Sequence, residues 1–85
     1  MDDFSFTSRF LQDLAEWEAN ASPREREALD RVLATIVANP ATPGRVPSFY
    51  DPLAPSYLYR AGKILIHYRI TSNEVTFLNL FFTKT

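Results

Sequence analysis

The chain contains no cysteine, so neither a disulfide frame nor a thiolate metal site can hold it together. That composition suits a reducing compartment. Its two glycines, Gly44 and Gly62, are too few for a glycine-rich phosphate loop. The single histidine, His67, lacks the cysteines, further histidines and paired carboxylates that would complete a metal site, and no metal or cofactor is expected. Serine-nucleophile motifs are absent as well. No apolar run reaches the roughly 20 residues of a membrane helix. The opening MDDFSF is acidic and lacks the basic and apolar regions of a signal peptide. A soluble, cytoplasmic protein with no membrane partner is expected.

What is present suffices for a core. The 85 residues are 46% apolar and 14% aromatic, which argues against disorder. A chain of this size forms one domain, spanning 1–85, and buries about 60–65% of its unfolded surface. The net charge of −1 hides a division. Residues 1–30 carry eight acidic and three basic groups, whereas residues 31–85 carry two acidic and six basic ones. Such a split permits a cationic surface beside an acidic one without general polyanion binding.

Phe4 and Phe6 alternate with polar neighbours, as in a short first strand. Phe10, Leu14 and Trp17 then form one stripe of an amphipathic helix, with Asp13, Glu16 and Glu18 on its wet side. The motif SPRE supplies a cap at Ser22, proline in the first turn and Glu25 to complete a capping box. A second helix follows with Ala28, Leu29, Val32, Leu33, Ile36 and Val37 on one face, and Asn39-Pro40 ends it. Residues 40–56 are proline-rich and without periodicity, which predicts an irregular loop. Two hairpins close the chain, turning at Ala61-Gly62 and at Ser72-Asn73. The last strand, VTFLNLFF, is apolar on both faces and suits the sheet interior, flanked by the first strand. The predicted fold is therefore α+β, in the order β-α-α-β-β-β. Two helices pack on one face of a small, mostly antiparallel, four-stranded sheet.

The segment YLYRAGKILIHYRI divides unevenly. Period-two alternation puts Tyr57, Tyr59, Ile64, Ile66, Tyr68 and Ile70 on one face and Leu58, Arg60, Lys63, Leu65, His67 and Arg69 on the other. The helices can cover only one face, and the Tyr/Ile face must be that one. The open face then gathers four nitrogen-bearing side chains with Leu58, Leu65, Leu78 and Leu80, which marks a docking surface.

The segments FTSRFLQDLAEW, VLATIVANPATPGRV, YLYRAGKILIHYRI and EVTFLNLFFTKT, in this order, resemble the RelE/ParE superfamily of bacterial type II toxin–antitoxin systems. The likeness spans almost the whole chain. NPATPG followed by an aromatic-R-x-G-x-x-x-I-x-Y stretch carries most of it, and the ending FFTKT is similar to the F-x-K-K-T tail of HigB-type toxins. The resemblance implies growth inhibition restrained by a cognate antitoxin. RelE-like and HigB-like members cut mRNA in the ribosomal A site, and ParE-like members poison DNA gyrase. Ribosome-dependent cleavage, making the protein an endoribonuclease (mRNA interferase), is the leading expectation. A gyrase inhibitor and a non-catalytic interaction domain are the alternatives. For cleavage, Arg60 and Arg69 would grip phosphate, Lys63 would stabilise developing charge and His67 would move a proton. Arg45 and Lys84 would contact RNA or target, and Leu58, Leu65, Leu78 and Leu80 the antitoxin. The chain departs from the cutters where they carry a mid-strand arginine, reading Ile64 or Leu65 there, and in lacking a catalytic Tyr or His after Tyr68. ILIHYRI in turn is similar to the aliphatic-F-Y-R strand of ParE.

Overall fold

The computed structural model describes residues 3–48, 55–71 and 74–82. Within them the elements run β1 (Asp3–Phe6), α1 (Ser8–Glu18), α2 (Pro23–Ala38), β2 (Val46–Ser48), β3 (Ser56–Ala61), β4 (Ile64–Thr71) and β5 (Glu74–Phe82). Lys84 and the expected Ser72-Asn73 turn lie outside the described residues.

Local side-chain caps open both helices. The Thr7 hydroxyl accepts the Phe10 N–H at 3.1 Å and opens α1. At α2 the capping box is complete: Glu25 N–H donates to Ser22 Oγ at 3.1 Å, and Ser22 N–H donates to Glu25 Oε1 at 2.9 Å. The helix ends at Ala38, with Asn39 as its C-cap before Pro40.

The sheet has the order β1-β5-β4-β3-β2, with β1 parallel to β5 and every other pair antiparallel. It is five-stranded rather than four-stranded. The extra strand comes from the proline-rich segment read as irregular: Val46, Pro47 and Ser48 pair with Leu58, Tyr57 and Ser56. Proline is tolerated there because β2 is an edge strand, where a missing N–H need not break a ladder.

The helices cover one face as expected. Phe10 of α1 and Leu29 and Ile36 of α2 are buried with Ile64, Ile66, Tyr68, Val75, Phe77 and Leu80 of the sheet. Leu80 is a correction, since simple alternation assigned it to the open face. A bulge in β5 decides the matter. His67 pairs with Asn79 and Tyr68 with Phe77, so Leu78 faces no residue of β4. One inserted residue reverses the side-chain faces beyond it. Val75 and Phe77 point inward before the bulge, and Leu80 and Phe82 pack against the core after it.

Asp13 is a second correction. It is not on the wet side of α1 but only 8% exposed. β1 pairs with β5 only as far as Phe77, which leaves the β5 edge bare beyond it. α1 and its cap residue Thr7 supply the missing partners. Thr7 N–H donates to the Phe77 carbonyl at 3.0 Å, Thr7 Oγ1–H to the Leu78 carbonyl at 2.6 Å, and Leu80 N–H to Asp13 Oδ2 at 3.1 Å.

Candidate functional site

Cross-strand partners share a face, so the register builds the open face in rows. One row reads Ser5, Thr76, Arg69, Ser56 and Ser48 across all five strands. The next reads Asn79, His67, Leu58 and Val46, and the third Phe81, Leu65 and Arg60. Hydroxyls therefore surround Arg69, while an apolar strip of Val46, Leu58, Leu65 and Phe81 runs beside Arg60. Val46 is 57% and Phe81 46% exposed.

The expected cation cluster is brought together only in part. Arg60, His67 and Arg69 share the open face, but Lys63 does not join them. The last rung of the hairpin is Ala61↔Ile64, so Gly62-Lys63, not Ala61-Gly62, is its two-residue turn. Gly62, with φ +63°, occupies the first turn position that favours glycine. Lys63 then lies on the helix side, lining a groove with Trp17, Glu25, Val32 and Tyr59. There Glu25 is held below its ordinary range, chiefly by the backbone and hydroxyl of Ser22 and to a lesser degree by the charge of Lys63.

Arg45 also belongs to the helix side. Its guanidinium lies 4.0 Å from the centre of the Tyr57 ring, and its Nη1 donates to the Pro40 carbonyl at 3.0 Å. Tyr68 Oη donates to the same carbonyl at 2.8 Å, so Arg45 and Tyr68 together pin the segment after α2.

Arg60 is exposed at the hairpin end of the face. Arg69 stands opposite Ser56, four residues back along β3, which is about 13 Å away at 3.3 Å per residue. Arg69 Nε is buried and without a hydrogen-bond partner. His67 is 6% exposed. Its Nδ1 lies 2.7 Å from Asn79 Oδ1 and its Nε2 2.8 Å from Ser56 Oγ, and its ring stacks on Phe81 with centroids 6.5 Å apart.

Of the expected apolar contacts, Leu58 and Leu65 are half-buried on the open face, Leu78 sits at the bulge and Leu80 is in the core. Ser56, Asn79 and Phe81 are site residues that alternation missed. Ser56 adjoins the proline-rich segment and reads as loop, and the bulge moves Asn79 and Phe81 to the face opposite the one that period-two counting implies. Among the described residues, no three His, Asp or Glu side chains gather as a metal site, and no helix is long and apolar enough to cross a membrane. Compared with models of protein families, with curated proteins and with solved structures, the chain matches none.

Proposed function

We propose that this chain is a toxin of the RelE/ParE kind that acts in the cytoplasm by occupying a protein surface, in the manner of gyrase inhibitors. Its open sheet face is the docking surface for the target and for an antitoxin. The observation that carries this reading is the dispersal of the cations needed for cleavage. Lys63 lies on the helix side, Arg60 and Arg69 are about 13 Å apart along the strands, and the Nε2 of His67 is turned onto Ser56. In-line attack by a ribose hydroxyl needs a base and cations converging on one phosphodiester. A docking face needs only a contiguous apolar strip with a charged rim, which Leu58, Leu65, Phe81, Val46 and Arg60 provide.

Ribosome-dependent mRNA cleavage is the second reading. It is favoured by Arg60, whose exposed side chain occupies the position before the hairpin turn where the family's cutters carry a basic residue. An antitoxin segment fits the same face by folding over the leucines while its acidic groups meet Arg60 and Arg69, a complex that raised salt weakens.

Induction of the protein in a bacterial host separates the two. Growth arrest with an SOS-type DNA-damage response and intact mRNA supports target docking; mRNA fragments with ends in the ribosomal A site overturn it. Harmless overexpression in the absence of any antitoxin would leave only a binding module of the same fold.

A further inference from the structure

The geometry points to a nucleophilic site at Ser56, with His67 as its base, Asn79 as the group orienting that base, and Arg69 as the donor to an oxyanion. Its substrates would be short apolar acyl esters. Asn79 Oδ1 can only accept a hydrogen bond, so the 2.7 Å contact fixes the proton on His67 Nδ1. In its neutral form the ring presents its lone pair at Nε2, 2.8 Å from Ser56 Oγ, where the Ser56 hydroxyl donates to it. A serine whose proton already points at an imidazole, itself oriented by a third side chain, is the arrangement that general-base activation requires. An amide in the third place orients the ring as a carboxylate does, without adding its charge.

Mutual hydrogen bonding would explain these three side chains as structure alone, but it leaves Arg69 unexplained. Its buried Nε–H has no acceptor. Arg69 is the direct cross-strand neighbour of Ser56, a relation that puts their Cβ atoms about 4.5–5.5 Å apart. An acyl oxygen that gains negative charge when Ser56 attacks would supply the acceptor this donor lacks. Leu58, Leu65 and Phe81 in the adjoining rows bound the site with apolar surface. Ser56 is 3% exposed, so an acetyl ester is the fitting probe.

The chemistry balances without a cofactor. Ser56 Oγ bonds to the ester carbonyl carbon as its proton passes to His67 Nε2, and the oxyanion rests against Arg69 Nε–H. The bond to the leaving oxygen then breaks, and Nε2 returns the proton to that oxygen. Water hydrolyses the acyl-serine by the same route, restoring the Ser56 hydroxyl and releasing the carboxylic acid.

The test uses the full chain with p-nitrophenyl acetate. The expected result is a burst of p-nitrophenolate approaching one per chain, with the acetyl group on the Ser56 peptide by mass spectrometry. Ser56→Ala removes both; His67→Gln and Arg69→Met each slow acylation by about 100-fold while melting stays cooperative. Should those variants not fold, an alkyl fluorophosphonate on the unaltered chain decides, because an adduct at Ser56 supports the site. No acyl or phosphonyl group on Ser56 of the folded chain, or acetylation that Ser56→Ala leaves unchanged, overturns it.

Discussion

Asp13 and Tyr68 are buried polar residues whose partners make their roles measurable. Asp13 closes the β5 edge by accepting the Leu80 N–H, and it also pairs with Arg9 at 3.1 Å. The Arg9 side chain is 69% exposed, so that ion pair contributes little. Asp13→Ala should therefore destabilise the fold mainly by leaving a buried N–H without an acceptor, by about 1–3 kcal/mol in denaturant titration. Asp13→Asn keeps an acceptor and should recover part of that loss. For Tyr68, burial raises the phenol above its ordinary 10.0, with Arg45 nearby pulling the other way. The unfolded chain loses this proton near pH 10.0, whereas the folded chain holds it to higher pH. The resulting stabilisation is complete below pH 10.0 and declines as pH rises through the raised value. Thermal unfolding across pH 9–12 should show that decline in the wild type and a shallower one in Tyr68→Phe. The variant also loses the hydrogen bond to Pro40, worth about 1 kcal/mol.

At the scale of elements, β5 decides most of the site. A straight strand would align Leu78 and Leu80 with the open face, whereas the bulge sends Leu80 into the core and brings out Asn79 and Phe81. Leu80→Ala should then behave as a core truncation and cost about 2–5 kcal/mol. Leu65→Ala, on the open face, should cost about 1 kcal/mol or less. Equal losses at the two positions would mean that β5 has no bulge in solution. The hairpin before it makes a similar point. Moving the turn by one residue, from Ala61-Gly62 to Gly62-Lys63, takes a cation off the open face and places it near Glu25. The helix starts depend on contacts within a few residues: Thr7 caps α1, and α2 is capped where the SPRE motif places it.

At the scale of the molecule, the two helices cover one side of the sheet and, among the described residues, leave the other without a helix. The open side holds Leu58, Leu65 and Phe81 between Arg60 at one end and the hydroxyl row around Arg69 at the other. If docking through the apolar strip arrests growth, Leu65→Asp should abolish the arrest while melting stays cooperative and within a few degrees of wild type. Arg60→Ala should weaken it and make it less sensitive to salt. Full toxicity of folded Leu65→Asp would place the target elsewhere. The helix side offers another apolar groove, where Phe4 and Phe6 of β1 face Leu33, Ala34 and Val37 of α2. Its lining includes Asp30, the sign opposite to the open face's arginines.

The sequence by itself determined the α+β class, the start of the second helix, the Tyr/Ile face that the helices cover and the placing of the last strand between its neighbours. These follow from short-range signals: capping residues, prolines, and apolar spacing of 3.6 or 2 residues. The tertiary structure alone decided the fifth strand, the bulge, the burial of Asp13 and the meeting of Ser56, His67, Asn79 and Arg69. Each depends on which backbone groups remain unpaired once distant strands align, and no local pattern carries that information. Val46–Ser48 is a strand only because β3 has an open edge to receive it, and Asp13 turns inward only because β1 stops short of Leu80.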